Sequence, residues 1–300
     1  MDSMKKTIAG LCVLILLLSG CAAGEAPAQI AATTAPVYEF TLRLCQGTGL
    51  TVTRLVTEQV SCLHDYSLSV RQVKAAEAAE VVVISGAGLE EFLSGVIDDS
   101  KAVDASQGIP LLTSEEGHSH SHDHEEDHAH EGHHHEEDPH IWLSPENAKA
   151  MAQNICAGLS RKYPRYQAAF EDNLASLLAD LDALQAYGEE TLRDLSCREL
   201  ITFHDGFAYL ARSFDLTILE AVEEESGSEA SAQDLTHLIE EVRHHHLPAI
   251  FTEISGSVSA AGVITRETGV PVFSLDMAMA GDSYFEAMYR NLDTIKEALR

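Results

Sequence analysis

Residues 164–195 read PRYQAAFEDNLASLLADLDALQAYGEETLRDL, and Phe170, Leu174, Leu177, Leu178, Leu181 and Leu184 recur there at spacings of three and four. That period belongs to an α-helix with one apolar face. Pro164 suits its first turn, where a missing N–H costs nothing. Roughly 30 residues at about 1.5 Å each make a rod of about 45 Å, longer than one small lobe needs. The stretch therefore predicts a rigid helix bracing two lobes, one on each side of it in the chain.

The flanks alternate short β-branched runs with amphipathic segments. Upstream, residues 30–34 read as a strand, 37–45 as a helix, 50–56 as a strand and 70–79 as a helix; 81–84 is the continuous apolar run of a buried parallel strand. Gly86-Ala87-Gly88 lacks the third glycine of a dinucleotide fingerprint and reads as a turn before a short helix at 89–93. Ser144-Pro145-Glu146 opens a helix to about Lys162. Downstream, strands at 199–203, 216–221, 249–252 and 270–273 alternate with helices at 206–212, 232–243, 258–268 and a last one to Arg300, with an exposed loop at 223–231. Each crossover is long enough for parallel pairing. The expected class is α/β, with two Rossmann-like lobes of parallel sheet: an N-terminal lobe over 30–163, the linking helix over 164–195 and a C-terminal lobe over 196–300.

The amino terminus carries an address. Lys5 and Lys6 precede an apolar run over 8–18, too short to span a bilayer, so residues 1–20 read as a secretory signal and 21–29 as a tether. Leu18-Ser19-Gly20-Cys21 resembles a bacterial lipobox, which implies cleavage before Cys21 and diacylglycerol on its sulfur. One lipid-modified end holds a protein at the outer face of a cell membrane without spanning it.

Charge narrows the partners. The chain has 19 basic and 48 acidic residues, hence 19 − 48 = −29. Such a field repels phosphate backbones and anionic lipid, which disfavours nucleic acid, and draws cations. Cys12 leaves with the signal, so Cys45, Cys62, Cys156 and Cys197 remain beside Cys21, with their three fully paired connectivities open. No CxxC spacing supports a thiolate zinc cluster.

Histidine supplies the donors. His118, His120, His122, His124, His128, His130, His133, His134 and His135 lie in a loop over 115–138, interleaved with carboxylates and free of Lys or Arg. Imidazole and carboxylate are ligands of borderline divalent cations. The tract is expected to collect metal without being the principal site, because a segment with no core loses backbone entropy each time it wraps an ion. Other donors stand apart: His64 in the loop after the second strand, His140 at the end of the tract, His204 after a strand and Asp276 after Phe273-Ser274-Leu275. Carboxyl ends of strands are where α/β sheets gather ligand groups, so these four are expected to meet in one cleft. His237, His244, His245 and His246 lie on or just after a polar helix and read as surface residues.

Cys62-Leu-His64-Asp-Tyr, Gly86-Ala-Gly-Leu-Glu90, Asp138-Pro-His140-Ile-Trp-Leu-Ser-Pro145, Ile201-Thr-Phe-His204-Asp-Gly-Phe207, Phe251-Thr-Glu253 and Ser274-Leu-Asp276 follow one another across the mature chain. In order and spacing this series resembles the zinc-binding lipoproteins and periplasmic proteins that serve metal ABC transporters. The resemblance implies a metal held between two lobes, a His-rich loop between the first and second ligands, and His64, His140, His204 and Asp276 as the ligand set. Where the family commonly has Pro-His-Ser/Thr-Tyr-Glu-Pro, this chain has Leu63-His64-Asp65-Tyr66-Ser67. The fourth position is a carboxylate or water in such proteins, and Glu253 or Asp205 are further candidates to approach it. The same two are expected to accept from the outer ring nitrogens of the ligand histidines.

Three imidazoles and a carboxylate suit tetrahedral Zn2+, whereas Mn2+ favours more oxygen; the related manganese-binding proteins generally carry Glu where His204 stands. The resemblance thus implies a monomeric receptor that hands zinc to a membrane permease, with no bond made or broken and no enzyme activity. A manganese receptor is the alternative within the class. A surface zinc buffer or adhesin, in which the tract does the work, and a zinc hydrolase are the alternatives outside it. His-Glu-x-x-His strings occur only inside the tract, at 124–128 and 130–134, where alternating His and Glu produce them by composition; elsewhere the chain has no HExxH, and it has no Gly-x-Ser-x-Gly, which argues against the hydrolase.

Overall fold

Two parallel four-stranded sheets organise the chain. The computed structural model describes residues 28–58, 63, 66–113, 137–223, 231–254, 258–279, 281 and 283–300. The signal segment, Cys21, most of the tether, Cys62, His64, the tract over 118–135 and nearly all of the 223–231 stretch lie outside the described residues.

The first sheet comprises β1 (Ile30–Ala32), β2 (Val52–Arg54), β3 (Val81–Ile84) and β4 (Ala102–Asp104). The second comprises β5 (Glu199–His204), β6 (Thr217–Glu223), β7 (Ile250–Glu253) and β8 (Val272–Leu275). Their orders, β2-β1-β3-β4 and β6-β5-β7-β8, are the same winding used twice. In each, the chain leaves the first strand for one edge and crosses back to continue on the other side. That reversal opens a crevice outside the carboxyl ends of β1 and β3, and again of β5 and β7, where such sheets bind ligands.

The helices are α1 (Ala35–Leu44), α2 (Val70–Ala78), α3 (Pro145–Lys162), α4 (Gln167–Thr191), α5 (Ala208–Ser213), α6 (Ala232–His244), α7 (Val258–Thr268) and α8 (Tyr284–Leu299). Their starts follow local chemistry. Ser144 caps α3 by accepting from Asn147 N, with Pro145 in the first turn; Ser69 and Gln72 form a reciprocal capping box on α2, as do Ser231 and Asp234 on α6. The long helix is α4, preceded by a 3-10 turn at Pro164–Tyr166, so the α-helical part is shorter at both ends than the 164–195 expectation. Phe170, Leu177, Leu181 and Leu184 are fully buried on its apolar face. That face packs on α1 and α3 from the first half of the chain and on α8 from the second. The helix therefore braces both halves.

Hydrogen bonds also sew the halves together. Trp142 Nε1 donates to Met277 O at 2.7 Å, Tyr284 Oη donates to Trp142 O at 2.8 Å, and Ala35 N donates to Met279 O at 3.0 Å. Glu39 Oε2 accepts from Tyr284 N at 2.6 Å. One apolar cluster runs through Ile30, Trp142, Phe170, Phe207 and Leu292.

Three local expectations need correction. The helix expected over 89–93 is a 3-10 turn, Glu91–Leu93. The strand β4 is additional, held by its pairing with β3. His204 is the last residue of β5, not the first residue after it. Cys45, Cys156 and Cys197 are free. Among the described residues, no helix is long and apolar enough to cross a membrane.

Candidate metal centre

His204 ends β5 and is buried. In the β5–β7 pairing Thr202 stands opposite Phe251, so two residues further along, His204 and the buried Glu253 finish neighbouring strands side by side. A turn over Asp205 and Gly206 leads to α5. A Cβ at Gly206 would lie 2.8 Å from Cδ2 and 3.0 Å from Nε2 of His204, and 2.7 Å from Met277 Cε. Glycine is required there for the imidazole to keep its seat.

His140 comes from the other half. It precedes the 3-10 turn Ile141–Leu143, which leads into α3, and is only 3% exposed. Its ring meets that of His204 edge-on, with centroids 5.3 Å apart and planes at 86°, and it also lies edge-on to Trp142 at 5.4 Å. Asp138 Oδ1 accepts from His140 N at 2.8 Å and faces His140 Nδ1 at 2.8 Å. An ionised carboxylate only accepts, so in the neutral imidazole Nδ1 bears the ring proton and Nε2 keeps its lone pair. That Nε2 is buried and has no hydrogen-bond partner among the described residues. Such an atom costs about 1–3 kcal/mol, and this tautomer, with the far nitrogen tied to a carboxylate, is the one in which histidine binds metal.

The segment before His140 is pinned. Asp138 N donates to Leu112 O at 2.8 Å, and Thr113 and Glu137 form an antiparallel bridge. The Tyr209 hydroxyl, on α5, accepts from Leu112 N at 2.9 Å and donates to Asp138 O at 3.0 Å. Burial is the main cause that pushes the Tyr209 phenol up to about 12, so it stays protonated and keeps both bonds.

Residues 30–298 match the family described as zinc-uptake complex component A, periplasmic, ZnuA. The chain belongs to the ZnuA family. It is 30% identical over 311 residues to the zinc-binding lipoprotein AdcA of Streptococcus pneumoniae serotype 4, an alignment covering 99% of this chain and 61% of that protein. The chain thus spans about three fifths of the length of the AdcA relatives it matches first. A crystal structure of ZnuA superposes with a TM-score of 0.75 at 29% identity, covering 91% of this chain and 100% of the other. Zn(II)-bound AdcA from Streptococcus pneumoniae gives 0.73 at 27% identity, covering 91% and 57%.

In this ZnuA-family chain the expected donors divide. His140 and His204 are brought together, whereas His64 lies outside the described residues. Asp276, just beyond β8, is engaged elsewhere: Oδ1 accepts from Ala278 N at 2.9 Å and Oδ2 from Arg290 at 2.6 Å. Its main chain is tied to Asn291 by two bonds, Asp276 N to Asn291 Oδ1 at 2.8 Å and Asn291 Nδ2 to Asp276 O at 2.7 Å. Among the described residues, no three His, Cys, Asp or Glu side chains form a ready metal group. The acceptor behind His140 is Asp138, which sequence reasoning had left inside a motif without a role. An Asp two residues ahead of a histidine is a local pattern that fits this bond, since Asp side chains commonly bond the main chain two residues on.

The later described histidines sit elsewhere. His237 Nε2 faces Glu220 at 3.3 Å, while His245 lies between Glu199 at 2.9 Å and Glu241 at 3.4 Å. Glu199 begins β5 and His204 ends it, so His245 and His204 stand at opposite ends of that strand.

Proposed function

We propose that this chain is the extracytoplasmic receptor of a metal ABC importer. It captures Zn2+ in the cleft between its two lobes and passes the ion to a membrane permease, held at the membrane by lipid on Cys21. The observation that carries the reading is the buried, unpartnered Nε2 of His140, in ring contact with His204 and fixed in the metal-binding tautomer by Asp138. Zinc is the metal named for the AdcA relatives and for the family, and imidazole donors favour it over manganese.

His64 is the third imidazole in this proposal. Asp276 closes the fourth position by exchanging its pairing with Arg290 for the ion. Glu253, ending β7 beside His204, orients that ring, and the tract histidines at 118–135 gather ions. The chain's charge of −29 concentrates cations around the cleft. Its work is binding and transfer of an intact ion by a single chain, without catalysis.

The test is a titration of the chain lacking residues 118–135 with zinc and with manganese, with and without His204→Ala. One tight zinc per chain, weaker manganese and a large loss on substitution are expected. A surface buffer built on the tract would instead lose nearly all binding on deletion, and undiminished binding by His204→Ala would refute the site.

A further inference from the structure

We propose that Tyr209 is a positioning residue of the metal centre, fixing His140 against His204 through Asp138. The inference rests on the reading that these two histidines hold the ion. Tyr209 belongs to the same strand-turn-helix as His204, in the C-terminal half, because α5 begins four residues after β5 ends. Its hydroxyl is used in both directions, accepting from Leu112 N and donating to Asp138 O. These partners belong to the two strands of chain that enter and leave 113–137, so one oxygen holds both against α5.

What this fixes is the base of His140. The same Asp138 whose carbonyl is held by Tyr209 presents Oδ1 to the main chain and Nδ1 of His140. The path from His204 to His140 is therefore short: covalent from the end of β5 through the Gly206 turn to Tyr209, then hydrogen-bonded from Tyr209 to Asp138 and from Asp138 to His140. Ligand side chains need support to within about 0.5 Å to serve a metal well. A phenylalanine at 209 keeps the ring's packing but leaves Leu112 N and Asp138 O without this partner. The two segments then lose their shared anchor, and His140 Nε2 loses its aim.

Zinc affinity, by competition with a chelator, and the visible spectrum of the cobalt-substituted protein would be compared for the parent, Tyr209→Phe, Asp138→Asn, the double variant and His140→Ala. Tyr209→Phe should weaken zinc about tenfold or more and alter the cobalt bands, which report ligand geometry, while the metal-free protein still melts cooperatively. The double variant should bind no worse than Asp138→Asn alone, because Tyr209, which holds the Asp138 carbonyl, reaches His140 through the side-chain contact that Asp138→Asn already alters. Binding by Tyr209→Phe within twofold of the parent, or losses that multiply in the double variant, would overturn the proposal.

His140→Ala separates the two levels of inference. If it binds zinc like the parent, the metal site itself is misassigned; if it loses zinc while Tyr209→Phe does not, only the positioning role falls. Should Tyr209→Phe fail to fold, amide exchange in the parent decides. The Leu112 amide should exchange more slowly when zinc is bound, and an unchanged rate would refute the link.

Discussion

A single oxygen, Asp138 Oδ1, lies 2.8 Å from both the main-chain nitrogen and Nδ1 of His140. It sets the turn and the tautomer together, and a carboxylate in that place raises the basicity of the nitrogen left for the metal. Asp138→Ala is expected to lower zinc affinity about 10–100-fold, and His140→Ala to remove tight binding. Competition against a chelating dye at fixed pH measures both. Parental affinity in Asp138→Ala would show that the contact is incidental.

Gly206 supports the second imidazole by having no side chain. In Gly206→Ala the new methyl must displace the His204 ring or Met277 Cε. Overpacking of this kind costs about 1–3 kcal/mol of stability, and here the ring that moves is a proposed ligand. The expected signature is a loss of zinc affinity larger than the loss in metal-free denaturation midpoint would suggest. Urea melts of the metal-free variant and zinc titration of the folded variant separate the two effects.

Asp276 has a resident counter-ion in Arg290. If the carboxylate turns to the metal, Asp276→Ala weakens zinc about tenfold, as loss of one of four ligands should. Arg290→Ala frees the carboxylate and leaves affinity equal or higher. Calorimetric titration distinguishes these outcomes, and parental binding by Asp276→Ala would assign the fourth position to another group or to water.

Glu90 makes stability depend on pH. It accepts from Thr33 Oγ1 at 2.6 Å, Ser85 N at 2.7 Å and Gly86 N at 3.0 Å at the carboxyl ends of β1 and β3. Burial dominates those hydrogen bonds and pushes its carboxyl up from 4.5 to about 7. Between those values the folded chain holds a proton that the unfolded chain has released. Its contribution is therefore complete below about pH 4.5 and is lost as pH rises through about 7, amounting to roughly 3 kcal/mol at most. Urea unfolding at pH 5 and pH 8 should show the parent losing stability across this window relative to Glu90→Gln. Parallel curves for the two proteins would show that Glu90 does not titrate there.

The sequence could be read where short-range pattern decides the structure. Val81–Ile84 forms β3 at its expected bounds because four apolar residues stand between Glu80 and the Ser85-Gly86 turn, and Val258–Thr268 likewise keeps its bounds as α7. By contrast, β4 is three residues long with one β-branched side chain, and its strand character comes from pairing Val103 with Val83. The His140–His204 pair was legible because one histidine followed an apolar strand run and the other ended the tract. Tyr209 was not, since its partners Leu112 and Asp138 are 97 and 71 positions away in the chain. No local period encodes such a contact. Gly206 escaped for the same reason: its requirement arises from the ring of His204 and the side chain of Met277 closing over it.

The bridge between Thr113 and Glu137, backed by the bond from Asp138 N to Leu112 O, brings the chain out of the N-terminal half and back into it at one doorway. Bridged residues stand about 5 Å apart, so the fold asks of anything spliced between them only that its two ends arrive together. Doubling the length of such an insert costs only about 0.6 kcal/mol in closure entropy. The histidine tract is thus a cassette, one whose size and composition evolution or an engineer can exchange without redesigning the scaffold beneath it.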